Sequence, residues 1–476
     1  MIPRSMTFPV TSHTEAVQPG GVFVAIPGHA AHGAAFVSTA IARGATTVVL
    51  QKDDAGRYGQ LCSSGISDGV RYVLVPCARR ALARYAARAA GHPAEKLTII
   101  GVTGSKGKTI TTSLIAHLLR SAGHAVATLG ALGGNKTHLP DAQPFGTPAS
   151  DYLHPFFADC VEQGITHVVM EVSAHALSLY RVHGVPFSHV VLTNFSPDHC
   201  DFFGSVPRYL NIKKRLFKQC TPGGRAHLLA GRVCDELHEV LPEDCSLIST
   251  QFDRATQNDQ LVYDVLDDSL NRLELVLHEG QKDVALTAPP LGRFNAPNIV
   301  LAASVARSCG LSWQEIVPAL AHWPGAPGRL QRHTTKRGVT VVTDTAHEPS
   351  TVDEVLGWLR QNTDHLTVVL GCRGNRDVTA RVPLAAAVAR HADAVVLTAD
   401  QSPSQDSLVT INQIKAGIEA QAGKQVRLHI ELDRAAAIEK ACKWVALAHG
   451  VVAILGNGVR LANPHGASRD ADNCCL

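Results

Sequence analysis

Residues 101–113 read GVTGSKGKTITTS, a glycine-rich turn between an apolar run and a helical pattern. The apolar run at 97–102 predicts a buried parallel strand, and the leucine and isoleucine spacing over 109–122 predicts a helix. A strand, a turn rich in glycine and a helix, in that order, present a helix N-terminus to an anion. The sequence therefore predicts a triphosphate cradle, although an ordinary strand-to-helix turn with an exposed lysine has the same outline.

The residue types in this turn suit a nucleotide. Gly104 and Gly107 let backbone N–H groups turn toward an anion. Lys108 can reach the outer phosphates, and the Thr109 hydroxyl can hold magnesium. The match to the strict phosphate-loop pattern is imperfect, because that pattern requires glycine where this chain has Val102.

Composition narrows the class of protein. A chain of 476 residues is long enough for about three domains. The formal net charge of +3 is small and no basic stripe is present, so nucleic acid is not an expected partner. No apolar run has membrane-spanning length and the N-terminus lacks a signal-peptide pattern, so we expect a cytoplasmic protein without membrane contact.

Strand and helix patterns alternate along the chain in three blocks, which predicts an α/β fold. We place the boundaries so that the blocks cover residues 1–93, 94–326 and 327–476, with the first boundary at a His-Pro pair and the second within a Pro/Gly cluster. Short apolar strands alternate with helices in the third block, at 339–343, 366–370, 394–398, 426–430 and 451–455. This pattern is typical of a doubly wound, Rossmann-like unit.

Polar residues stand at the ends of several predicted strands, where ligands of open α/β sheets bind. Glu171 ends the strand at 167–171, and a buried carboxylate of this kind is either paired or holds a cation. The phosphate loop upstream favours magnesium. His199, next to Asp198 after the following strand, is a site candidate for the same reason, although a lone histidine is more often structural. In the third block, Asp344 likewise follows a predicted strand and is a site candidate for the same reason.

Taken in order, these motifs resemble the Mur ligase family, and most closely its MurE branch, the UDP-N-acetylmuramoyl-dipeptide:diamino-acid ligases of peptidoglycan biosynthesis. The resemblance covers residues 8–460, nearly the whole chain. The family's loop resembles GxTGxxGKT, which accounts for the valine at 102. The stretches that carry the resemblance are GVTGSKGKTITT, Gly146-Thr147-Pro148, THVVMEVSAHALSLYRVHGV, TNFSPDHCDFFG, Tyr209-Leu-Asn-Ile-Lys213, LGRFNAPN, Pro327-Gly328-Arg329, VVTDTAHEP and GCRGNRD.

The resemblance implies a three-domain ligase. Residues 1–93 would form a shortened N-terminal domain that binds the acid substrate, 94–326 a central P-loop ATPase domain, and 327–476 a Rossmann-like domain that binds an amino acid. The implied reaction consumes ATP with Mg²⁺, converts a substrate carboxylate to an acyl phosphate, and joins it to an amine with release of ADP and phosphate. The implied partners are a small-molecule acid, such as a UDP-linked muramoyl dipeptide, and an amino acid or amine, and the implied state is a monomer.

The resemblance also implies roles for residues around the nucleotide. Lys108 would stabilise the β- and γ-phosphates, beside Gly104 and Gly107. One magnesium ion would lie between Thr109 and Glu171, and His199 would ligate a second. Lys213 matches a lysine that carbon dioxide carbamylates, whereas without the resemblance it reads as a solvated helix lysine. The matching nucleotide contacts are Asn295, Asn298, Arg329 and Asp344.

The substrate positions depart most from the family. Asp400 opens a segment in which the family's substrate-gripping arginine is missing, and Arg460 stands where a carboxylate is usual, which should exclude a distal ammonium. Arg376 is retained and can bind an α-carboxylate. The remaining acid-side candidates are Ser12, Thr147, Ser173 and Arg181.

Three alternatives therefore stay open beside an ordinary MurE-like ligase. The first is a MurE paralogue that joins a different acid and amine in specialised metabolism. The second is a nucleotide-binding homologue without catalysis, which Asn457 in place of the family's lysine favours. The third is a phosphotransferase that uses the same loop.

Overall fold

The protein was analysed as a computed structural model, which describes residues 10–28, 31–54, 66–67, 69–132, 146–196, 200–230, 232–243, 245–250, 261–372, 378–399, 407–421, 426–446 and 450–456. The chain divides into two compact units. Unit 1 comprises residues 1–264, 277–284 and 297–320, and unit 2 comprises 265–276, 285–296 and 321–476.

The first sheet of unit 1 forms from short β-branched runs that become buried strands. Its order is β1-β2-β3-β5-β4, and every pair is parallel except β4 with β5. The strands are β1 (Val10–Thr11), β2 (Val22–Val24), β3 (Thr47–Gln51), β4 (Ile66–Ser67) and β5 (Val70–Val75). The described residues of this part of the chain also form two helices, α1 (Val37–Ala42) and α2 (Ala78–Ala89), and short 3₁₀ turns at Thr14–Ala16, Gly33–Phe36, Lys52–Asp54 and Pro93–Lys96.

The second sheet of unit 1 is parallel at its centre, with strands that read as continuous apolar runs because both faces are covered. Its order within unit 1 is β7-β8-β6-β9-β10-β11-β12. The strands are β6 (Thr98–Thr103), β7 (Val126–Leu129), β8 (His167–Glu171), β9 (Phe187–Leu192), β10 (Cys220–Leu229), β11 (Cys245–Thr250) and β12 (Leu261–Asp268). The division between the units passes through β12, β13 (Leu273–Glu279) and β14 (Lys282–Ala288).

Eight helices accompany the second sheet in the described part of the chain, together with 3₁₀ turns at His238–Val240 and Arg293–Asn295. They are α3 (Lys108–Ser121), α4 (Ser150–Glu162), α5 (Ala174–Ser178), α6 (Cys200–Phe203), α7 (Val206–Phe217), α8 (Arg232–Leu237), α9 (Ala296–Ser308) and α10 (Trp313–Ala321).

Unit 2 contains a six-stranded sheet of order β15-β16-β20-β17-β18-β19, parallel except for the β15–β16 pair. Two apolar clusters cover its two faces, as the predicted doubly wound pattern requires. The strands are β15 (Gln331–Thr334), β16 (Thr340–Asp344), β17 (Leu366–Cys372), β18 (Ala394–Ala399), β19 (Arg427–Ile430) and β20 (Val451–Leu455). The helices are α11 (Pro349–Gln361), α12 (Arg381–His391), α13 (Ser407–Glu419) and α14 (Arg434–Ala446), with a 3₁₀ turn at Val378–Ala380.

The α/β class predicted from the sequence is confirmed, and the strand predictions at 167–171 and 451–455 coincide with β8 and β20. Among the described residues, no helix has both the length and the apolar character that crossing a membrane requires.

A buried chain of polar side chains links the second sheet to α9. His189 Nδ1 lies 3.2 Å from His227 Nε2, and His227 Nδ1 lies 2.9 Å from Ser304 Oγ. Burial, and secondarily nearby cationic groups such as Arg225, lower the pKa of His189 to about 4 and hold that of His227 well below its ordinary value. Both imidazoles are therefore neutral in the folded protein at neutral pH.

These histidines should make the folded state sensitive to acid. Below about pH 6.5 these histidines become protonated in the unfolded chain, whereas in the folded chain His189 stays neutral until near pH 4. The free energy of unfolding therefore falls as the pH falls through this window. His189 alone should contribute a loss of about 2 kcal/mol between pH 7 and pH 5. Urea unfolding of His189→Gln at both pH values should give a shallower pH dependence than the parent, while the exposed His13→Gln should retain the parent's slope. An unchanged slope in His189→Gln would contradict this account.

Candidate functional site

Three strand ends meet at one edge of the second sheet. Strand β6 lies between β8 and β9 and pairs with both in parallel, with Val102 opposite Glu171 and Thr103 opposite Leu192. The polar segments that follow these strands therefore emerge side by side. The convergence that the sequence predicted for the phosphate loop and Glu171 is what the fold produces.

The loop between β6 and α3 can be built only with its glycines. Gly104 has φ +154° and Gly107 has φ +80°, which are conformations that side chains disfavour. A Cβ atom on Gly104 would collide with Thr193 Oγ1, and one on Gly107 would lie 2.5 Å from Asn298 Oδ1. Gly107 is the N-cap of α3, so the helix begins at Lys108 and its first N–H groups open into this cradle.

The Lys108 ammonium is folded over the loop. Its Nζ donates hydrogen bonds to the carbonyl oxygens of Gly104, at 2.8 Å, and Ser105, at 3.1 Å. Phosphate oxygens are stronger acceptors for an ammonium than carbonyls are, so a bound phosphate can replace these bonds. Thr109 follows in the first helical turn and is 8% exposed.

The segment after β9 supports the loop from the side. Asn194 Oδ1 accepts hydrogen bonds from the backbone N–H groups of Ser105, at 3.1 Å, and Lys106, at 2.9 Å. Ser105 Oγ donates to the carbonyl of Ser196, at 3.0 Å, and lies 3.3 Å from the Tyr209 hydroxyl oxygen. Sequence reasoning assigned no role to Asn194, although its place directly beyond a strand end was the signal that could have found it.

The Glu171 carboxylate is buried and accepts one hydrogen bond from the described residues. Its Oε1 accepts from the backbone N–H of Ala131 at 2.9 Å, and a side chain at Gly130 would meet the same oxygen. Within the described ranges, no donor reaches its other carboxylate oxygen. A carboxylate that is only 5% exposed and half satisfied suits a cation at this edge.

Three acid-side candidates lie together beside Glu171. The Thr147 hydroxyl donates to the Glu171 carbonyl at 2.9 Å and accepts from the Ser173 N–H at 3.1 Å. The Arg181 guanidinium donates to the Thr147 carbonyl at 2.7 Å, and burial lowers its pKa, followed by the nearby charge of Arg79. The structure thus brings these predicted residues to one place, although their roles stay predictions.

Lys213 is fully buried, contrary to its reading as a solvated helix lysine. Its Nζ lies 4.6 Å from the centre of the Tyr209 ring, and Phe195 stacks on that ring at 5.4 Å. Tyr209 therefore contacts Lys213 with its ring face and the phosphate loop with its hydroxyl. The lysine that the family resemblance singled out lies in an aromatic, water-excluding environment.

Ser12 makes a contact that the sequence did not suggest. Both its backbone N–H, at 2.8 Å, and its hydroxyl, at 2.7 Å, donate to Oδ2 of Asp151. Asp151 is 8% exposed and lies in the first turn of α4. The hydroxyl proposed for the acid substrate is thus bonded to a buried carboxylate.

The nucleotide candidates fall in both units. In unit 1, Asn298 Oδ1 accepts from the Thr111 hydroxyl at 3.3 Å. In unit 2, Asn295 donates to the Leu291 carbonyl at 2.7 Å. Also in unit 2, Asp344 accepts from the N–H groups of Leu330, at 2.9 Å, and Ala346, at 2.6 Å.

Burial raises the pKa of Asp344, and the Arg329 guanidinium and these backbone donors oppose that rise. The Asp344 carboxylate is therefore held by backbone donors at the end of β16. Arg329 is half-buried, and its charge favours the ionised form of this carboxyl.

Four predicted site residues, His199, Arg376, Asp400 and Arg460, lie outside the described residues. In the part of the chain that the structure describes, no three His, Cys, Asp or Glu side chains are grouped to hold a metal ion.

Three protein-family models together match most of the chain. Residues 10–90 match the model described as Mur ligase family, catalytic domain, residues 102–306 match Mur ligase middle domain, and residues 328–458 match Mur ligase, glutamate ligase domain. A Streptomyces avermitilis protein named UDP-N-acetylmuramoyl-L-alanyl-D-glutamate–2,6-diaminopimelate ligase is 33% identical over 436 residues, 90% of this chain and 83% of that protein. A Deinococcus radiodurans UDP-N-acetylmuramyl-tripeptide synthetase is 33% identical over 425 residues, 86% of this chain and 81% of its own.

Solved structures agree with this assignment. A structure of a UDP-N-acetylmuramoyl-L-alanyl-D-glutamate–2,6-diaminopimelate ligase has a TM-score of 0.66 and 27% identity, and the match covers 96% of this chain and 90% of that one. The MurF ligase of Thermotoga maritima in complex with ADP has a TM-score of 0.61 at 18% identity, covering 96% of this chain and 95% of that one, which is a likeness of fold.

The Asn194 contacts give a test of the loop. Asn194→Ala leaves the N–H groups of Ser105 and Lys106 without their side-chain acceptor, which should disorder the cradle. We expect the dissociation constant for ADP, measured by calorimetry, to rise about tenfold, which is the effect of roughly 1–2 kcal/mol. The matched control is Asn211→Ala, an exposed residue on α7, which should bind ADP like the parent. Equal affinities for the two variants would show that Asn194 does not support the loop.

Proposed function

This chain belongs to the Mur ligase family, and from that premise we propose that it joins a small-molecule acid to an amino acid amine at the edge where β6, β8 and β9 end. The chain is an ATP-dependent, amide-forming ligase, and ATP is used with Mg²⁺ in this family. The observation that carries the placement is the convergence of the Lys108 loop, Glu171 and buried Lys213 around one strand edge.

The loop fits a triphosphate. The absence of a side chain at Gly107 lets the Asn298 amide approach the loop closely, and the N-terminus of α3 opens at the same point. In our proposal Lys108 exchanges its two carbonyl acceptors for the β- and γ-phosphate oxygens. Thr109 and Glu171 would hold magnesium, which supplies positive charge that lets an anionic carboxylate approach an anionic phosphate.

We assign the acid to the group formed by Thr147, Ser173 and Arg181. Arg181 carries a positive charge to this group, and its contact with the Thr147 carbonyl fixes its direction. The relatives named as diaminopimelate ligases support a UDP-linked muramoyl dipeptide as the acid. The group borders Glu171, so the carboxylate to be activated would lie beside the phosphate loop.

We assign the amine to the third block, with domain boundaries at residues 1–93, 94–326 and 327–476. Arg329 and Asp344 would contact the nucleotide, beside Asn295 and Asn298. Arg376 would bind an α-carboxylate and Asp400 would border the amine site. Arg460 would repel a distal ammonium in a dry pocket, so the preferred amine lacks one.

A second candidate function follows from the Ser12 contact. Two donors of Ser12 bind the Asp151 carboxylate, which places a negative charge where a diphosphate would have to approach. This contact favours a MurE paralogue whose acid carries no nucleotide diphosphate. The remaining alternative is a nucleotide-binding homologue without catalytic activity. Turnover would exclude this alternative, and a lack of turnover would exclude both kinds of ligase.

The decisive experiment is turnover of the purified protein with ATP, Mg²⁺ and pooled amino acids, with and without UDP-N-acetylmuramoyl-dipeptide. We expect phosphate release and a new amide mass that require both an acid and an amine. Lys108→Ala should lower kcat by about 10²–10³-fold, because it removes charge stabilisation at the phosphates. Turnover only with acids other than the muramoyl dipeptide would favour the paralogue. Full activity of Lys108→Ala would contradict the proposal that Lys108 binds the β- and γ-phosphates.

We further propose that Lys213 is carbamylated. A carbamate converts the buried cation into an anion that can support a magnesium ion, and the fully buried, aromatic setting protects it from water. Activity in buffers depleted of carbon dioxide should fall and recover on addition of bicarbonate, and ¹³C-bicarbonate should give a carbamate resonance. Lys213→Ala should lose both the resonance and about 10²-fold in kcat. A parent protein that shows neither the resonance nor any response to bicarbonate would exclude the modification.

A further inference from the structure

A cluster of positive charge surrounds Tyr180, on the side chains of α2, α7 and the turn after α5. The Cζ atoms of Arg215 and Arg80 lie 4.7 Å and 5.8 Å from the centre of the Tyr180 ring. The His183 ring centre lies 5.8 Å from the same ring. Arg84, one helical turn beyond Arg80 on α2, acts on His183 as well. We call these five residues the Tyr180 cluster.

Stacking alone does not account for the cluster. Two guanidiniums on one tyrosine would join α2 to α7, and that contact explains Arg80 and Arg215. It does not explain why Arg84 adds further positive charge beside His183. Burial, and then the charges of Arg80, Arg84 and Arg215, lower the pKa of His183, so the arginines act on it together.

The positive charge of the cluster has no acidic counterpart in the described part of the chain. No ion pair there involves Arg80, Arg84 or Arg215, whereas eight of the chain's other ion pairs join an arginine or lysine to a carboxylate. The one hydrogen bond from these three side chains runs from Arg215 to the Leu177 carbonyl, at 3.2 Å. Like charges held together in this way repel one another unless an anion lies between them.

The backbone is also specialised at the centre of the cluster. Tyr180 has φ +56°, a left-handed conformation that residues other than glycine rarely adopt. This turn carries the aromatic ring that both guanidiniums contact, and the His183 N–H donates to the Tyr180 carbonyl at 3.2 Å, closing the turn. The ring thus gives two otherwise flexible guanidiniums a shared contact.

We propose that the Tyr180 cluster is a binding site for a small phosphate-bearing anion of the diphosphate class, separate from the phosphate loop. Guanidiniums bind phosphate oxygens bidentately, and two of them at one ring, with the charge of Arg84 beside His183, match an anion with more than one charged centre. Arg80 and Arg84 come from the first block and Arg215 from the helix that carries Lys213. An anion bound here would therefore join α2 to α7.

The test uses the full chain in a Lys108→Ala background, so that binding at the phosphate loop does not contribute. Pyrophosphate is titrated at constant ionic strength while the His183 resonance, assigned with His183→Gln, reports its protonation. We expect pyrophosphate to raise the pKa of His183 by about one unit, because an adjacent anion favours the charged imidazole. Inorganic phosphate should bind more weakly than pyrophosphate.

Variants of exposed residues separate binding from folding. Arg80→Ala with Arg84→Ala should weaken pyrophosphate binding at least about tenfold and raise the pKa of His183 in the ligand-free protein, since two like charges are removed. Arg88→Ala, exposed on the same helix but outside the cluster, should match the parent in both measurements. Undiminished binding in the double variant, or no response of His183 to millimolar pyrophosphate, would overturn the site. Equal binding of citrate and pyrophosphate would overturn the assignment to phosphate.

Discussion

The parallel pairing of β6 with β8 on one side and β9 on the other is the constraint on which the site depends. It sets Val102 opposite Glu171 and Thr103 opposite Leu192, so three strands end together. The segments that follow those strands therefore lie close together, and their buried polar groups must form hydrogen bonds with one another. The loop accordingly takes its support from Asn194, just beyond β9, and the Glu171 carboxylate accepts from the N–H of Ala131, just beyond β7.

The elements that could be predicted from the sequence are those with a local pattern. The strands at 167–171 and 451–455 were placed at their observed bounds, because runs of β-branched residues in a parallel sheet are apolar throughout. The phosphate loop was found from its glycines, since two positive φ angles admit little else. The contact of Asn194 with Ser105 joins residues 89 positions apart, and that of Ser12 with Asp151 joins residues 139 apart. Neither leaves a periodic signal.

The burial of Lys213 does have a local signal in the sequence, which is its place in a helical stripe of buried residues. Its charge alone predicts the opposite, exposure to solvent. On α7 the residues at 209, 212, 213, 216 and 217 form one helical stripe, and all of them are buried. A lysine inside such a stripe faces the core by geometry, whatever its charge. Its neighbour Lys214 lies off the stripe and is half-buried. Periodicity therefore outweighs residue type in deciding which of two adjacent lysines is buried.

The contacts also explain how the acid side can change while the ATP side is kept. Asn194, Ser196 and Tyr209 hold the loop, and none of them contacts Ser12 or Asp151. A carboxylate can therefore appear at 151, and bind both donors of Ser12, without removing any bond that shapes the cradle. Among the described residues, the two sides meet at Glu171, whose carbonyl accepts from the Thr147 hydroxyl. Thr147 apart, side chains on the acid side can be substituted without removing the bonds of Asn194, Ser196 and Tyr209 that shape the cradle, so substrate choice can diverge independently of nucleotide binding.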